Sequence, residues 1–215
     1  MPKKTSATAA TAATTVAKTA ASSPAKTIAQ LKITLRRIKP AIWRRVLVPH
    51  DIKLPNLNHV IQAAMGGWVN SHLHSFFDGN KYYQTNLDDF MFGGDAEGAD
   101  ESKYRLSDLC PGAPGKLLYT YDFGDDWEHA IVLEKLMPAG KRPACAELLA
   151  GENACPPEDC GGAPGYYNLI EAVNNPKNPD YEHLREWFGL EKGDTFDPTA
   201  FNPAAANARL ARIKV

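Results

Sequence analysis

The sequence predicts an α+β fold. Antiparallel β-hairpins pack with helices in a single compact domain, residues 28–215, behind a disordered N-terminal tail, residues 1–27. Three observations predict it. Short runs with period-two alternation come in pairs around tight-turn residues, the pattern of hairpins. Between and after them lie segments with apolar residues at helical spacing, such as Leu57, Val60, Ile61 and Ala64. The tail is built from Ala, Thr, Ser and Lys without an aromatic residue, too little apolar surface to offset the entropy lost on ordering.

Each element follows in order. Ile28–Ile38 alternates Leu31, Ile33 and Leu35 with Lys32, Thr34 and Arg36 and reads as a strand. Lys39-Pro40-Ala41 turns the chain, and Ile42–Val48 is the antiparallel partner. Along such strands each arginine pair, Arg36/Arg37 and Arg44/Arg45, sends one side chain to each face. A helix follows from Asn56, its N-cap, to Met65, and Gly66-Gly67 ends it. Residues 72–84, HLHSFFDGNKYYQ, form a hairpin about Asp78-Gly79-Asn80, with His72, His74 and Phe76 on one face. The acidic stretch 85–103 reads as a long surface loop, and Leu106–Leu109 as a helical turn. Lys116–Leu136 forms a second hairpin. Proline and glycine density leaves residues 138–165 without a long regular element. Helices then run over Tyr166–Val173, Asp180–Phe188 and from Asp197 to about Lys214.

Charge is unevenly spread. The net charge is -1, yet residues 1–55 hold eleven Lys/Arg against one acid, Asp51. A basic first quarter against an acidic body points either to a nucleic-acid-facing end or to two parts that neutralise each other. No run of 18 apolar residues exists, which excludes a membrane-spanning helix, and no apolar signal core follows Lys3 and Lys4. A cytoplasmic location is expected, with Cys110, Cys145, Cys155 and Cys160 as thiols or ligands rather than disulfides.

Four constellations carry chemistry. The first is the stretch Tyr119–Glu134, YTYDFGDDWEHAIVLE. With Asp125-Asp126 as a two-residue turn, Asp122 faces His129, a pair suited to a general base or to orienting a metal ligand. A three-residue turn over 124–126 pairs Tyr121 with His129 instead. The structural alternative is a hydrogen-bonded pair closing the hairpin. The second is His72-x-His74, two imidazoles of one strand face that can share a metal if His129 or Asp122 joins them. The third is Cys145, Cys155 and Cys160, which zinc would suit in a loop-rich region, although only the Cys155–Cys160 spacing comes near that of a knuckle. Otherwise PPEDCGG is a rigid turn that places Glu158 and Asp159. The fourth is the basic first hairpin, where Arg36, Arg37, Arg44 and Arg45 would hold phosphates while Trp43 stacks on a base. The structural alternative packs Trp43 inside and pairs the arginines with acids.

In order, IWRRVLVP (42–49), LNHVIQAAMGGW (57–68), HLHSF (72–76), YTYDFGDDWEHAIVLE (119–134) and CPPEDCGGAPGY (155–166) resemble the plasmid pRiA4b ORF-3-like family, whose members also carry the label of TnpR-like passenger proteins of insertion elements. The resemblance covers roughly residues 28–212. It departs at Gly66-Gly67-Trp68, one glycine more than Met-Gly-Trp, and at Cys160, where aliphatic residues are common. It implies a compact α+β fold and occurrence near mobile elements, and no particular reaction. A serine recombinase would need its nucleophilic serine in an ordered domain, whereas Ser6, Ser22 and Ser23 lie in the tail.

Two functional readings result. One is a non-enzymatic binding or accessory module, linked to mobile elements or to nucleic acid through the basic N-terminal region. The other is a metal-dependent hydrolase-like enzyme with a His/Asp site on the 72–76 and 119–134 hairpins.

Overall fold

The computed structural model describes residues 27–85, 98–140 and 145–215. Of the tail expected over residues 1–27, residues 1–26 lie outside these residues and Thr27 opens the first strand; most of the loop expected over 85–103 also lies outside them. The described strands are β1 (Thr27–Leu35), β2 (Trp43–Pro49), β3 (His74–Phe77), β4 (Tyr82–Gln84), β5 (Gly98–Asp100), β6 (Gly115–Tyr121), β7 (Trp127–Pro138) and β8 (Glu147–Glu152). They form one sheet in the order β5-β4-β3-β6-β7-β1-β2-β8. All neighbours are antiparallel except β4 and β5. The helices are α1 (Leu54–Met65), α2 (Leu106–Leu109), α3 (Gly162–Val173), α4 (Tyr181–Trp187) and α5 (Pro203–Leu210). The α+β expectation holds.

Period-two alternation decides what faces the core. Along β7, Trp127, His129, Ile131 and Leu133 are buried, while Glu128, Ala130, Val132 and Glu134 face outward. The inner face meets α1, whose buried side includes Leu57, Val60, Ile61 and Ala64. Two polar residues of that side, Asn58 and Gln62, both reach the Tyr119 hydroxyl of β6, which donates to Asn58 Oδ1 at 2.5 Å and accepts from Gln62 Nε2 at 3.0 Å. The outer face is held by ion pairs. Arg45 on β2 forks onto Glu134 on β7 at 2.8 and 2.9 Å, and Gln30 on β1 between them donates to the same carboxylate. That pairing pulls the Glu134 carboxyl down to about 2.

Several boundaries differ from the expectations. β1 ends at Leu35, so Arg36 and Arg37 lie in the following turn; Arg37 is left-handed at φ 64° and does not alternate with its neighbour. Arg44 and Arg45 do alternate, one fully buried and one outward. α1 starts at Leu54, with Lys53 as its cap residue and Pro55 in the first turn, because proline's fixed φ already suits that turn. The proline- and glycine-rich region contains a strand, β8, that pairs with β2. Its sequence ELLAGE has weak strand propensity, and tertiary pairing prevails. Gly151 within it is required, because a Cβ there would stand 2.8 Å from both Arg44 Cδ and the Phe201 ring. α3 begins at Gly162 rather than Tyr166, and α5 spans only Pro203–Leu210, capped by the Asn202 side chain on the Ala205 N–H.

β8 is an edge strand, and α5 covers it. The Asn207 amide accepts from the Leu148 N–H at 2.8 Å and donates to the Leu148 carbonyl at 3.2 Å, standing in for the missing strand. Replacing Asn207 with alanine should lower stability by about 1–2 kcal/mol, the cost of two partly buried backbone groups losing their partners. Urea unfolding measures this, and an unchanged midpoint would show that the edge contact contributes nothing.

Candidate metal site

The β6–β7 hairpin closes differently from either register expected. Tyr119 pairs with His129 and Tyr121 with Trp127, leaving residues 122–126 as the connection. Neither Asp122 nor Tyr121 therefore faces His129. The reason lies in the aspartates. Asp122, left-handed at φ 55°, folds its Oδ1 back to accept from the Gly124 N–H at 2.9 Å and the Asp125 N–H at 3.3 Å. Asp125 Oδ2 accepts from the Gly161 N–H at 3.1 Å, and Asp126 pairs with Arg37 at 2.7 Å. Each acid is held by a different neighbour, so the connection is wider than a tight turn.

His129 is fully buried beneath this end of the sheet, edge-on to Trp68 and 5.4 Å from the Tyr119 ring, with neither nitrogen hydrogen-bonded. Burial holds its pKa down to about 4, so it is a neutral core imidazole at physiological pH. His74 and His72 part company as well. His74 Nε2 sits 3.0 and 3.2 Å from the two oxygens of Glu101, a separate buried pair. His72 precedes β3 and turns to the tip of the β6–β7 hairpin.

There His72 meets three carboxylates. Its Nε2 lies 3.1 Å from Asp159 Oδ1, 3.8 Å from Asp122 Oδ2 and 4.0 Å from Glu158 Oε2. One donor atom each from His72, Asp122 and Asp159 fall within 4.8 Å of one another. His72 Nε2 and Glu158 Oε2 are shut off from solvent, and neither makes a hydrogen bond. Asp122 is also buried, with only its Oδ1 committed to the turn, while Asp159 is well exposed. Imidazole nitrogen and carboxylate oxygens around one ion, at bond lengths of about 2.1 Å, stand roughly 3.4 Å apart in tetrahedral geometry. The observed spacings bracket that value, so the donor set fits a divalent ion.

Tyr121 organises the cluster from the neighbouring strand. Its hydroxyl donates to Glu158 Oε1 at 2.8 Å and accepts from the backbone N–H groups of Ser71 and His72. Glu158 Oε1 also accepts from the Val69 N–H at 2.8 Å. Burial and Glu158 push the Tyr121 phenol up to about 12, so it stays a neutral donor. One hydroxyl thus ties the segment carrying His72 to the turn carrying Glu158 and Asp159.

The cysteines do not gather around an ion. Among the described residues, the His72 group is the one set of three or more His, Cys, Asp or Glu side chains close enough to share a metal. Cys145 is exposed, and burial pushes the Cys155 and Cys160 thiols up to about 12, which keeps them protonated.

The basic hairpin is engaged internally. Arg44 is fully buried and donates to the carbonyls of Ala64, Met65, Trp43, Glu152 and Asn153. Arg45 pairs with Glu134, Arg36 with Glu128, and Arg37 with Asp126. Lys32 and Arg45 each stand about 5 Å from the centre of the Trp43 ring, whose Nε1 donates to Glu152 at 3.0 Å.

Sequence reasoning found His72 and Asp122 but not their company. Spacing alone offers Glu158 and Asp159 only as residues placed by a rigid turn. The usable signal was two adjacent acids between Pro156-Pro157 and Gly161-Gly162, a backbone stiff enough to present them.

Among the described residues no helix is long and apolar enough to cross a membrane. Residues 27–205 match the family described as plasmid pRiA4b ORF-3-like protein. The uncharacterized protein y4hQ of Sinorhizobium fredii is 36% identical over 174 residues, covering 78% of this chain and 84% of that protein. The crystal structure of a protein of unknown function, MM3350 from Methanosarcina mazei Go1, superposes with a TM-score of 0.71 at 33% identity, covering 83% of this chain and 97% of the other. This chain belongs to the plasmid pRiA4b ORF-3-like family.

Proposed function

We propose that this protein binds a divalent transition-metal ion, zinc or manganese, through His72, Asp122, Glu158 and Asp159, and that the site is hydrolytic. The observation that carries the reading is the convergence of His72 Nε2 with three carboxylates at 3.1–4.0 Å, two of the donor atoms being buried without a hydrogen-bond partner. One imidazole among carboxylates is a donor set for zinc or manganese rather than for a soft-metal thiolate centre. A bound ion there would supply Lewis-acid polarisation and an activated water. The chain's part is to hold the donors. The Asx turn fixes Asp122, Tyr121 fixes Glu158, and the exposed side of Asp159 leaves an open approach, as catalytic rather than closed structural sites do.

The reading as an accessory module that meets nucleic acid has less support. It needs Arg36, Arg37, Arg44, Arg45 and Trp43 to be available to phosphates and bases. Arg44 is enclosed, and the other three arginines are each paired with an acid.

The test is titration of metal-stripped protein with Zn²⁺ and Mn²⁺ by calorimetry, with bound metal counted by elemental analysis. We expect one ion per chain, lost in His72→Ala and bound about 10–100-fold more weakly in Tyr121→Phe, the usual penalty for removing a group that orients a ligand. Stoichiometric binding that survives His72→Ala and Asp122→Asn would overturn the assignment, as would no binding by the native chain.

A further inference from the structure

A cavity of about 220 Å³ opens between the end of α1, the residues that follow β8 and the start of α5. Its lining includes Arg44, Arg209, Gly66, Cys155, Phe201 and Asn202, and no Asp or Glu. Two guanidinium groups therefore share one small space, and neither forms an ion pair with a carboxylate among the described residues. All five N–H groups of Arg44 point to carbonyls, and its guanidinium carbon stacks 3.7 Å from the centre of the Phe201 ring. Its charge is fixed in place, but its donors are spent.

Arg209 is different. Its Nε donates to the Ala63 carbonyl at 2.9 Å, while its two terminal nitrogens have no hydrogen-bond partner among the described residues. The guanidinium lies against Gly66, which is left-handed at φ 91° and has no Cβ to obstruct it. Cys155, pushed up to about 12 by burial, offers no thiolate as an internal counter-charge. The first turn of α5, represented by Asn202 and Ala205, borders the same space and adds the positive end of a helix dipole. The carbonyl end of α1 offsets part of this charge, but a carbonyl carries only a partial one. Two full positive charges in a partly enclosed space call for an anion that the described chain does not provide.

We propose that this cavity binds the oxyanion head group, phosphate or carboxylate, of a small molecule, with the terminal nitrogens of Arg209 as its donors and the fixed charge of Arg44 behind it. A guanidinium offers planar paired donors to either head group. The volume suits a small head group with little body, being below the usual range for a larger organic ligand. The site is independent of the metal reading, since it shares no residue with it.

The test keeps the two apart by working in EDTA. The full chain is titrated with inorganic phosphate and, separately, with acetate, against chloride at matched ionic strength, and the rise in melting temperature is followed with binding by calorimetry. A rise specific to phosphate assigns a phosphate head group, one specific to acetate a carboxylate, and a rise with both the shared oxyanion chemistry. Arg209→Gln should weaken that binding about tenfold or more, the effect of losing a charged hydrogen-bonding group. Arg209→Lys should keep part of it. Because Arg209 also holds the Ala63 carbonyl, each variant is compared through its ligand-dependent shift and not its basal melting temperature. No shift beyond chloride with either anion, or an equal shift in Arg209→Gln, overturns the proposal.

Discussion

Arg44→Met is expected to destabilise the fold by about 3–5 kcal/mol, a large share of the roughly 5–15 kcal/mol that holds a domain of ordinary stability. Arg44 is the point where three parts of the chain meet. Its Nε and one terminal nitrogen hold the last carbonyls of α1 at Ala64 and Met65. The remaining donors hold Trp43 of β2, Glu152 of β8 and Asn153 after it. Methionine fills much of the volume but leaves these buried and partly buried carbonyls without their donors. Burial already pulls the Arg44 pKa down to about 10, the electrostatic sign of a charge kept from solvent, yet it remains protonated at neutral pH. Lysine restores the charge but has three donors on a single nitrogen and cannot fan out to carbonyls on both sides, so Arg44→Lys should recover only part of the loss. Chemical denaturation followed by tryptophan fluorescence reads all three proteins. A loss below about 1 kcal/mol for Arg44→Met would mean that water or backbone movement replaces the arginine.

The second large effect concerns acid. The unfolded chain takes up a proton on His129 near pH 6.5, whereas in the fold that residue resists protonation to about 4. Between these values the unfolded state holds more protons, so stability falls as the pH drops through this window. The shift corresponds to about 3 kcal/mol, all present above pH 6.5 and lost by about pH 4. The physical cause is burial of the ring against Trp68 and Tyr119, which disfavours the charged form. In His129→Phe the slope between pH 6.5 and 4.5 should flatten. A second slope should remain below pH 4.5, because the Glu134 carboxyl, held by Arg45 and Gln30, protonates in the unfolded chain near 4.5 but in the fold only near 2. Unfolding free energies measured from pH 7 to pH 3 separate the two. If His129→Phe kept the full slope between pH 6.5 and 4.5, another group would have to carry it.

The strands and helices were legible where their period was strong. Period-two alternation located the strands that pair as β1–β2 and β6–β7, and the Asp78-Gly79-Asn80 turn marked the β3–β4 hairpin. β8 was not legible, because ELLAGE has no strand pattern of its own and forms against β2. The hairpin tip escapes the sequence for a related reason. Asp122 chose to bond the backbone ahead of it, and spacing along the chain does not record that choice.

The candidate site divides in the same way. The sequence by itself determined the family and the α+β class and pointed to two of the four proposed donors, His72 and Asp122, since motifs and periodicity are local properties of a chain. Which side chains share a site depends on contacts far apart in sequence, and the tertiary structure alone decided those. It separated His74 onto Glu101 and His129 into the core, and it brought the acids of the 155–160 turn to His72 through the Tyr121 hydroxyl. It also withdrew Arg44 from the surface, because five carbonyls from α1, β2 and the end of β8 surround it. Hydrogen bonds and packing between distant segments made these assignments, and residue spacing carries no information about either.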